Sequence, residues 1–254
     1  MSSPWEKLPP DFYLRDTVEV AKDLIGRYLI REVPGGRLAC RITETEAYCG
    51  PADPACHSCR KAAKKGGRTN VMYEAGGLAY IYLIYGMYCC FNVVTRPKGE
   101  PEAVLVRSAQ PLLGLPQMAR NRGLTAAGEE ALSAGPKRPG AKERPQRPPK
   151  PGREALLLTG PGKLCQGMEI DRELYGEPLW GEKLWLAWGE PVPGEAIAAT
   201  PRINVDYAGE AAAWPWRFVE RESLFLSVKY KEAVPIAAAS TSAANFPPVF
   251  VPKT

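Results

Sequence analysis

LAYIYLIYGMYCCFNVV, residues 78–94, is the most apolar stretch of the chain. A membrane-spanning helix needs about 20 such residues in a row. This run is slightly short, and Gly86 and Asn92 interrupt it. Its tyrosines and β-branched residues favour strands, with Tyr85-Gly86-Met87-Tyr88 as the turn between two of them. Tyrosines inside a packed core would need partners for their hydroxyls. Tyr85, Met87 and Tyr88, placed around a turn, would instead be exposed, and exposed large apolar groups mark a binding surface.

Working outward, Leu38 to Tyr48 reads as a strand whose even positions are Leu38, Cys40, Ile42, Glu44, Glu46 and Tyr48. Side chains two apart share a face. The face that begins apolar, and so points inward, therefore ends in two carboxylates and a ring. Either the strand end emerges into solvent, or a carboxylate lies at the floor of a cleft. Ala103 to Ala109 reads as another strand with Leu105 and Arg107 on one face. An inward arginine wants a carboxylate, and Glu46 is a candidate.

The remaining chain reads more simply. Residues 1–12 are a proline-rich, extended lead-in. Residues 15–26 suggest a helix, with Asp16 as its cap and Val18, Ala21, Leu24 and Ile25 at helical spacing. Tyr28 to Val33 reads as a strand and Pro34-Gly35-Gly36 as a turn. Residues 49–77 form a long loop, a length that usually signals function or disorder. Thr159 to Met168 suggests a helix, though Gly160-Pro161-Gly162-Lys163 lacks P-loop spacing. Residues 180–228 alternate apolar and turn residues, suggesting further strands, and a loose tail covers 231–254.

Of 254 residues, 45% are apolar and 24% charged, an ordinary globular composition. That excludes bulk disorder, collagen-like repeats, a coiled coil and a multi-span membrane protein. The net charge of +5 is mild but uneven. Within the proline-rich insert 130–153, residues 136–153 alone carry +6. A second basic run holds Arg60, Lys61, Lys64, Lys65 and Arg68. Both fit either solvated loops or contact with a polyanion such as nucleic acid.

The seven cysteines are an odd number without a secretory signal, which points to a reducing intracellular compartment, cytoplasm or nucleoid. Cys56-His57-Ser58-Cys59 resembles half a zinc site. No second such pair exists, and His57 is the only histidine. Cys40 and Cys49 could complete a set only by the accident of folding, so no metal is expected.

Several blocks together resemble the alkyladenine (3-methyladenine, methylpurine) DNA glycosylase family. These are Glu44-Thr45-Glu46-Ala47-Tyr48, His57-Ser58, Tyr80 through Tyr88, and Asn92. Downstream come Val104-Leu105-Val106-Arg107, Gly160 through Gln166, and Ala208-Gly209-Glu210. The resemblance covers roughly residues 14–125 and 155–228. It implies a mixed α/β (α+β) single domain spanning 1–254, built around a curved, mainly antiparallel sheet with flanking helices and a DNA-probing hairpin. It also implies removal of alkylated or deaminated purines from double-stranded DNA, by a monomer with no cofactor, metal or membrane.

On that resemblance Glu46 is the general base that activates water, and Arg107 helps place the water. Tyr48, His57 and Tyr82 form the stacking pocket. Asn92 collides with the exocyclic amine of guanine, and Tyr85 intercalates, flanked by Met87 and Tyr88. A duplex base must leave the stack before any side chain reaches its glycosidic bond. An apolar wedge offsets part of that cost, and electron-rich rings favour cationic alkylpurines. No lysine or terminal amine occupies a nucleophile position in these motifs, so hydrolysis without strand cleavage is expected. His57, with an unperturbed pKa near neutrality, is a candidate acid for neutral lesions. Two other readings are a non-enzymatic binder of distorted nucleic acid and a zinc-stabilised nucleic-acid module.

Overall fold

Two strands and a tight turn occupy the apolar stretch, as its composition predicts: β3 (Ala79–Ile84) and β4 (Tyr88–Thr95), paired antiparallel with Ile84 opposite Tyr88. Tyr85 (φ 53°) and Gly86 (φ 69°) both take the left-handed conformation at the tip. Positive φ at successive turn residues matches the natural twist of a hairpin. For a tyrosine that conformation is costly, on the order of 1–3 kcal/mol, and such strain clusters at functional sites.

The computed structural model describes residues 5–59, 67–124 and 152–235. In chain order the other elements are α1 (Thr17–Asp23), β1 (Tyr28–Val33), β2 (Gly36–Tyr48), β5 (Glu102–Leu113) and α2 (Leu115–Asn121). They continue with α3 (Ala155–Leu158), α4 (Pro161–Gly167), β6 (Leu184–Ala187), β7 (Ile197–Thr200), β8 (Arg217–Glu220) and β9 (Val234–Pro235). All nine strands among the described residues join one antiparallel sheet, ordered β3-β4-β5-β2-β8-β7-β9. β1 pairs with the first half of β2 and carries β6 on its far side. The result is an α+β fold around a curled sheet.

The curl and the site share one cause. Pairing of β2 with β5 slips register at Ala39/Cys40 and again on either side of Glu44. An extra residue in one strand bends it and shifts the alternation of its side chains. Leu38, Cys40 and Ile42 belong to the main apolar core. Beyond the bulge the core side passes to odd positions: Ala47 joins the same cluster, and Thr45 donates to the Ala21 carbonyl of α1. Glu44, Glu46 and Tyr48 therefore face the opposite side. This corrects the expectation that the carboxylates share a face with Leu38, Cys40 and Ile42. Nor does the strand end emerge into solvent, because Glu44 and Glu46 are both 0% exposed.

The neighbouring strands obey the same division. Ala79, Ile81, Phe91, Val93, Val104 and Val106 enter the core. Tyr80, Tyr82, Cys90, Asn92, Leu105 and Arg107 line a cavity on the other face. Arg107 thus points inward to a cavity, not to the core.

Four boundaries differ from the sequence reading. The lead-in is not wholly extended: Pro10–Leu14 forms a 3-10 turn that buries Phe12 and Tyr13. The first helix is shorter than 15–26, because Asp16 accepts from the Val18 and Glu19 amides and so starts it at Thr17. The later helix begins at Pro161, whose fixed φ suits a first helical position. The tail is tied at its start, since Val234 and Pro235 pair with β7. Residues 236–254, most of the insert 130–153 (through 151), and Arg60, Lys61, Lys64 and Lys65 lie outside the described residues.

Candidate active site

The two carboxylates on β2 have different surroundings. Glu44 accepts from Arg107 Nε (3.1 Å), Arg217 Nε (2.7 Å), Ser227 N (2.6 Å) and Ser227 Oγ (2.8 Å). Three of these donors converge on Oε1 and the Ser227 amide alone reaches Oε2, so Glu44 serves as an anchor for Arg107, Arg217 and the Ser227 segment. Glu46 accepts from Ile203 N (2.8 Å), the Tyr48 hydroxyl (2.8 Å) and Arg107 Nη1 (3.2 Å). Its Oε2 takes two of these donors and its Oε1 takes the Ile203 amide. All three residues that donate to Glu46 line one cavity, whereas of the residues that donate to Glu44 only Arg107 does.

Arg107 bridges both acids and is itself nearly buried. Burial opposes its charge, but the facing Glu46 and Glu44 outweigh that and hold the guanidinium protonated more firmly than usual. Burial, reinforced by Glu46, pushes the Tyr48 phenol upward, so Tyr48 remains a neutral donor.

Tyr48, Arg107 and Ile203 form part of the wall of a cavity of about 760 Å³. That volume lies within the roughly 300–1,000 Å³ of small-ligand sites. Glu46 sits directly behind this wall, with no accessible surface of its own. His57, Tyr82 and Asn92 also line the cavity, and Tyr85 and Tyr88 stand at its rim. Met87 lies on the same hairpin tip. Tyr85, Met87 and Tyr88 are 78%, 70% and 46% exposed, as the turn reading predicts.

The aromatic groups form a connected wall. His57 meets Tyr82 edge to face at 4.7 Å, and Tyr82 meets Tyr80 at 5.3 Å. The Tyr80 hydroxyl is 2.8 Å from His57 Nδ1 and orients the ring. Asn92 directs its amide nitrogen at the Tyr80 carbonyl (2.9 Å), which leaves its oxygen as the free polar atom. Burial raises the Cys90 thiol to about 11, against a hydrogen bond with Tyr82.

Several contributors escape sequence reasoning. Tyr80 has a period-2 signal, two positions before Tyr82. The Ile203 amide has none, because any residue carries one. Arg202 and Asp53 form a fully buried bidentate pair (2.5 and 2.9 Å) across 149 positions. Arg202 also lies 4.9 Å from the Tyr48 ring and 5.1 Å from the Trp216 ring. The pair ties the His57 loop to the segment carrying Ile203 and backs the Tyr48 wall.

Among the described residues no group of three His, Cys, Asp or Glu is gathered to hold a metal ion. Cys56 contacts Ser58, Cys40 lies in the core, and all seven cysteines are free. No helix among the described residues is long and apolar enough to cross a membrane.

The model of the methylpurine-DNA glycosylase family matches residues 11–224. The chain is 40% identical to a Natranaerobius thermophilus protein over 223 residues, 87% of this chain and 99% of the relative. It is 44% identical to a Methanocella arvoryzae protein over 219 residues, 85% of this chain and 93% of the relative. An Anaeromyxobacter dehalogenans protein is 40% identical over 222 residues, 87% and 86% of the two chains. All three carry the words 3-methyladenine DNA glycosylase in their names.

Proposed function

The chain belongs to the methylpurine-DNA glycosylase family, a DNA glycosylase acting on N-glycosyl bonds, and we propose that it flips alkylated or deaminated purines from duplex DNA and hydrolyses their bond to the sugar. Its substrates in this reading are 3-methyladenine, 7-methylguanine, hypoxanthine and ethenoadenine. The observation that carries the reading is the buried Glu46 carboxylate, whose three donors, Tyr48, Arg107 and the Ile203 amide, all belong to the wall of an aromatic cavity.

Each side chain has a part. Tyr85 fills the gap left by the flipped nucleotide, with Met87 and Tyr88 on the same tip. The base stacks among Tyr48, His57 and Tyr82, a contact worth about 1–3 kcal/mol. Asn92, in the cavity wall, disfavours guanine by steric collision with its exocyclic amine. A water enters between Glu46 and Arg107, whose contact at 3.2 Å is the longest of the three on Glu46. Glu46 takes a proton from that water as it attacks the sugar carbon, which develops oxocarbenium character. The purine leaves, and an abasic site remains without strand cleavage. A mere binder of distorted DNA has no use for a buried acid placed with an arginine behind its base pocket.

The direct test is incubation with duplexes bearing hypoxanthine, ethenoadenine or 3-methyladenine, scored for released free base. No free base from any of them would remove the proposal. Tyr85→Ala is expected to slow excision from paired duplex about tenfold, since the wedge offsets unstacking. The loss should be smaller when the lesion is already unpaired, which a bulged duplex would show. Neutral leaving bases need a proton, whereas cationic ones already carry charge. An alkaline fall in rate is therefore expected for hypoxanthine but not for 3-methyladenine, read from pH–rate profiles of the two.

A further inference from the structure

Arg68 lies outside the machinery just described, yet it reaches the same cavity. Its guanidinium carbon stands 5.7 Å from the centre of the Tyr82 ring, and the residue lines the cavity while remaining exposed. The two buried guanidiniums nearby are balanced, Arg107 by Glu44 and Glu46 and Arg202 by Asp53. Arg68 makes no ion pair among the described residues. Its charge is felt inside: burial raises the Tyr80 phenol, and Arg68 pulls against that rise. Arg122 and Lys163 also line the mouth, but neither lies on an aromatic wall.

From this geometry we propose that Arg68 is a specificity determinant, favouring neutral, acceptor-rich purines such as hypoxanthine over cationic N-alkylpurines. The inference rests on the glycosylase reading of the cavity. A tyrosine face attracts cations through its quadrupole, and here a guanidinium already draws on the Tyr82 ring. A cationic base stacking there meets that like charge within several ångströms, a repulsion on the order of tenfold in relative rate. A neutral purine with carbonyl and ring-nitrogen acceptors instead meets five N–H donors in a planar fork.

The test compares single-turnover release of hypoxanthine and 7-methylguanine from matched duplexes, at a mildly acidic pH where 7-methylguanine is cationic, by the full chain and by Arg68→Met and Arg68→Lys. Arg68 is exposed, so thermal unfolding should be unchanged in both variants. Arg68→Met is expected to lower the hypoxanthine to 7-methylguanine rate ratio about tenfold, and Arg68→Lys, which keeps the charge, to lower it less. An unchanged ratio would overturn the proposal. So would an equal fall in both rates with a shallower salt dependence of DNA binding, the mark of a phosphate contact. Release of neither base by the unsubstituted protein would remove the glycosylase reading itself.

Discussion

Glu46→Gln is expected to cut free-base release by about 10²–10⁴-fold, the range general-base catalysis supplies, while lesion binding is kept. The substitution preserves shape and removes the charge that, in the proposed mechanism, accepts the proton of the attacking water. The residues proposed to stack on the base, Tyr48, His57 and Tyr82, are untouched. Some local rearrangement follows, because both carboxylate oxygens face donors: Ile203 N on one, Tyr48 and Arg107 on the other. The Tyr48 hydroxyl can rotate to accept from the new amide, but Arg107 cannot. Single-turnover release and gel-shift affinity, measured on one hypoxanthine duplex, separate the two effects. Excision that survives within tenfold would deny Glu46 its role, and lost binding would make it structural.

The largest effect on stability is expected from Asp53→Ala. The side chains of Arg202 and Asp53 are both 0% exposed, and Arg202 is further held by the carbonyls of Ala47 (2.9 Å) and Ala211 (3.3 Å). Removing the acid leaves a buried guanidinium without its counter-charge, which costs about 3–5 kcal/mol. At roughly 2–4 °C per kcal/mol for a chain of this size, Tm falls by about 6–20 °C. Asp53 also accepts from the Cys49 and Ala55 amides, so the loop bearing His57 loosens with it. Thermal unfolding followed by circular dichroism checks the figure. A shift under about 3 °C would mean that water or another group compensates Arg202.

Much of this molecule was legible in one dimension because its causes are local. The β3–β4 hairpin follows from strand-forming residues on either side of Tyr85-Gly86, and the exposure of its tip from that turn. The start of α1 follows from Asp16 capping two amides. Tyr48, His57, Tyr82, Asn92 and Arg107 occur in recognisable blocks, and the fold brings all five to one cavity.

Only the tertiary structure decided which way the acids face. Alternation along Leu38–Tyr48 reads as unbroken, but a bulge at Glu44 transfers Glu46 from the core side to the cavity side. Pairing with β5 creates that bulge, and β5 lies far along the chain. Which acid meets the cavity wall is likewise set by donors from distant segments: Ser227 and Arg217, which do not line the cavity, hold Glu44, whereas the Ile203 amide, Tyr48 and Arg107 join Glu46 to its wall. A backbone amide and a partner 149 positions away leave no mark on local sequence, because their identity comes from where the chain is folded and not from which residues flank them.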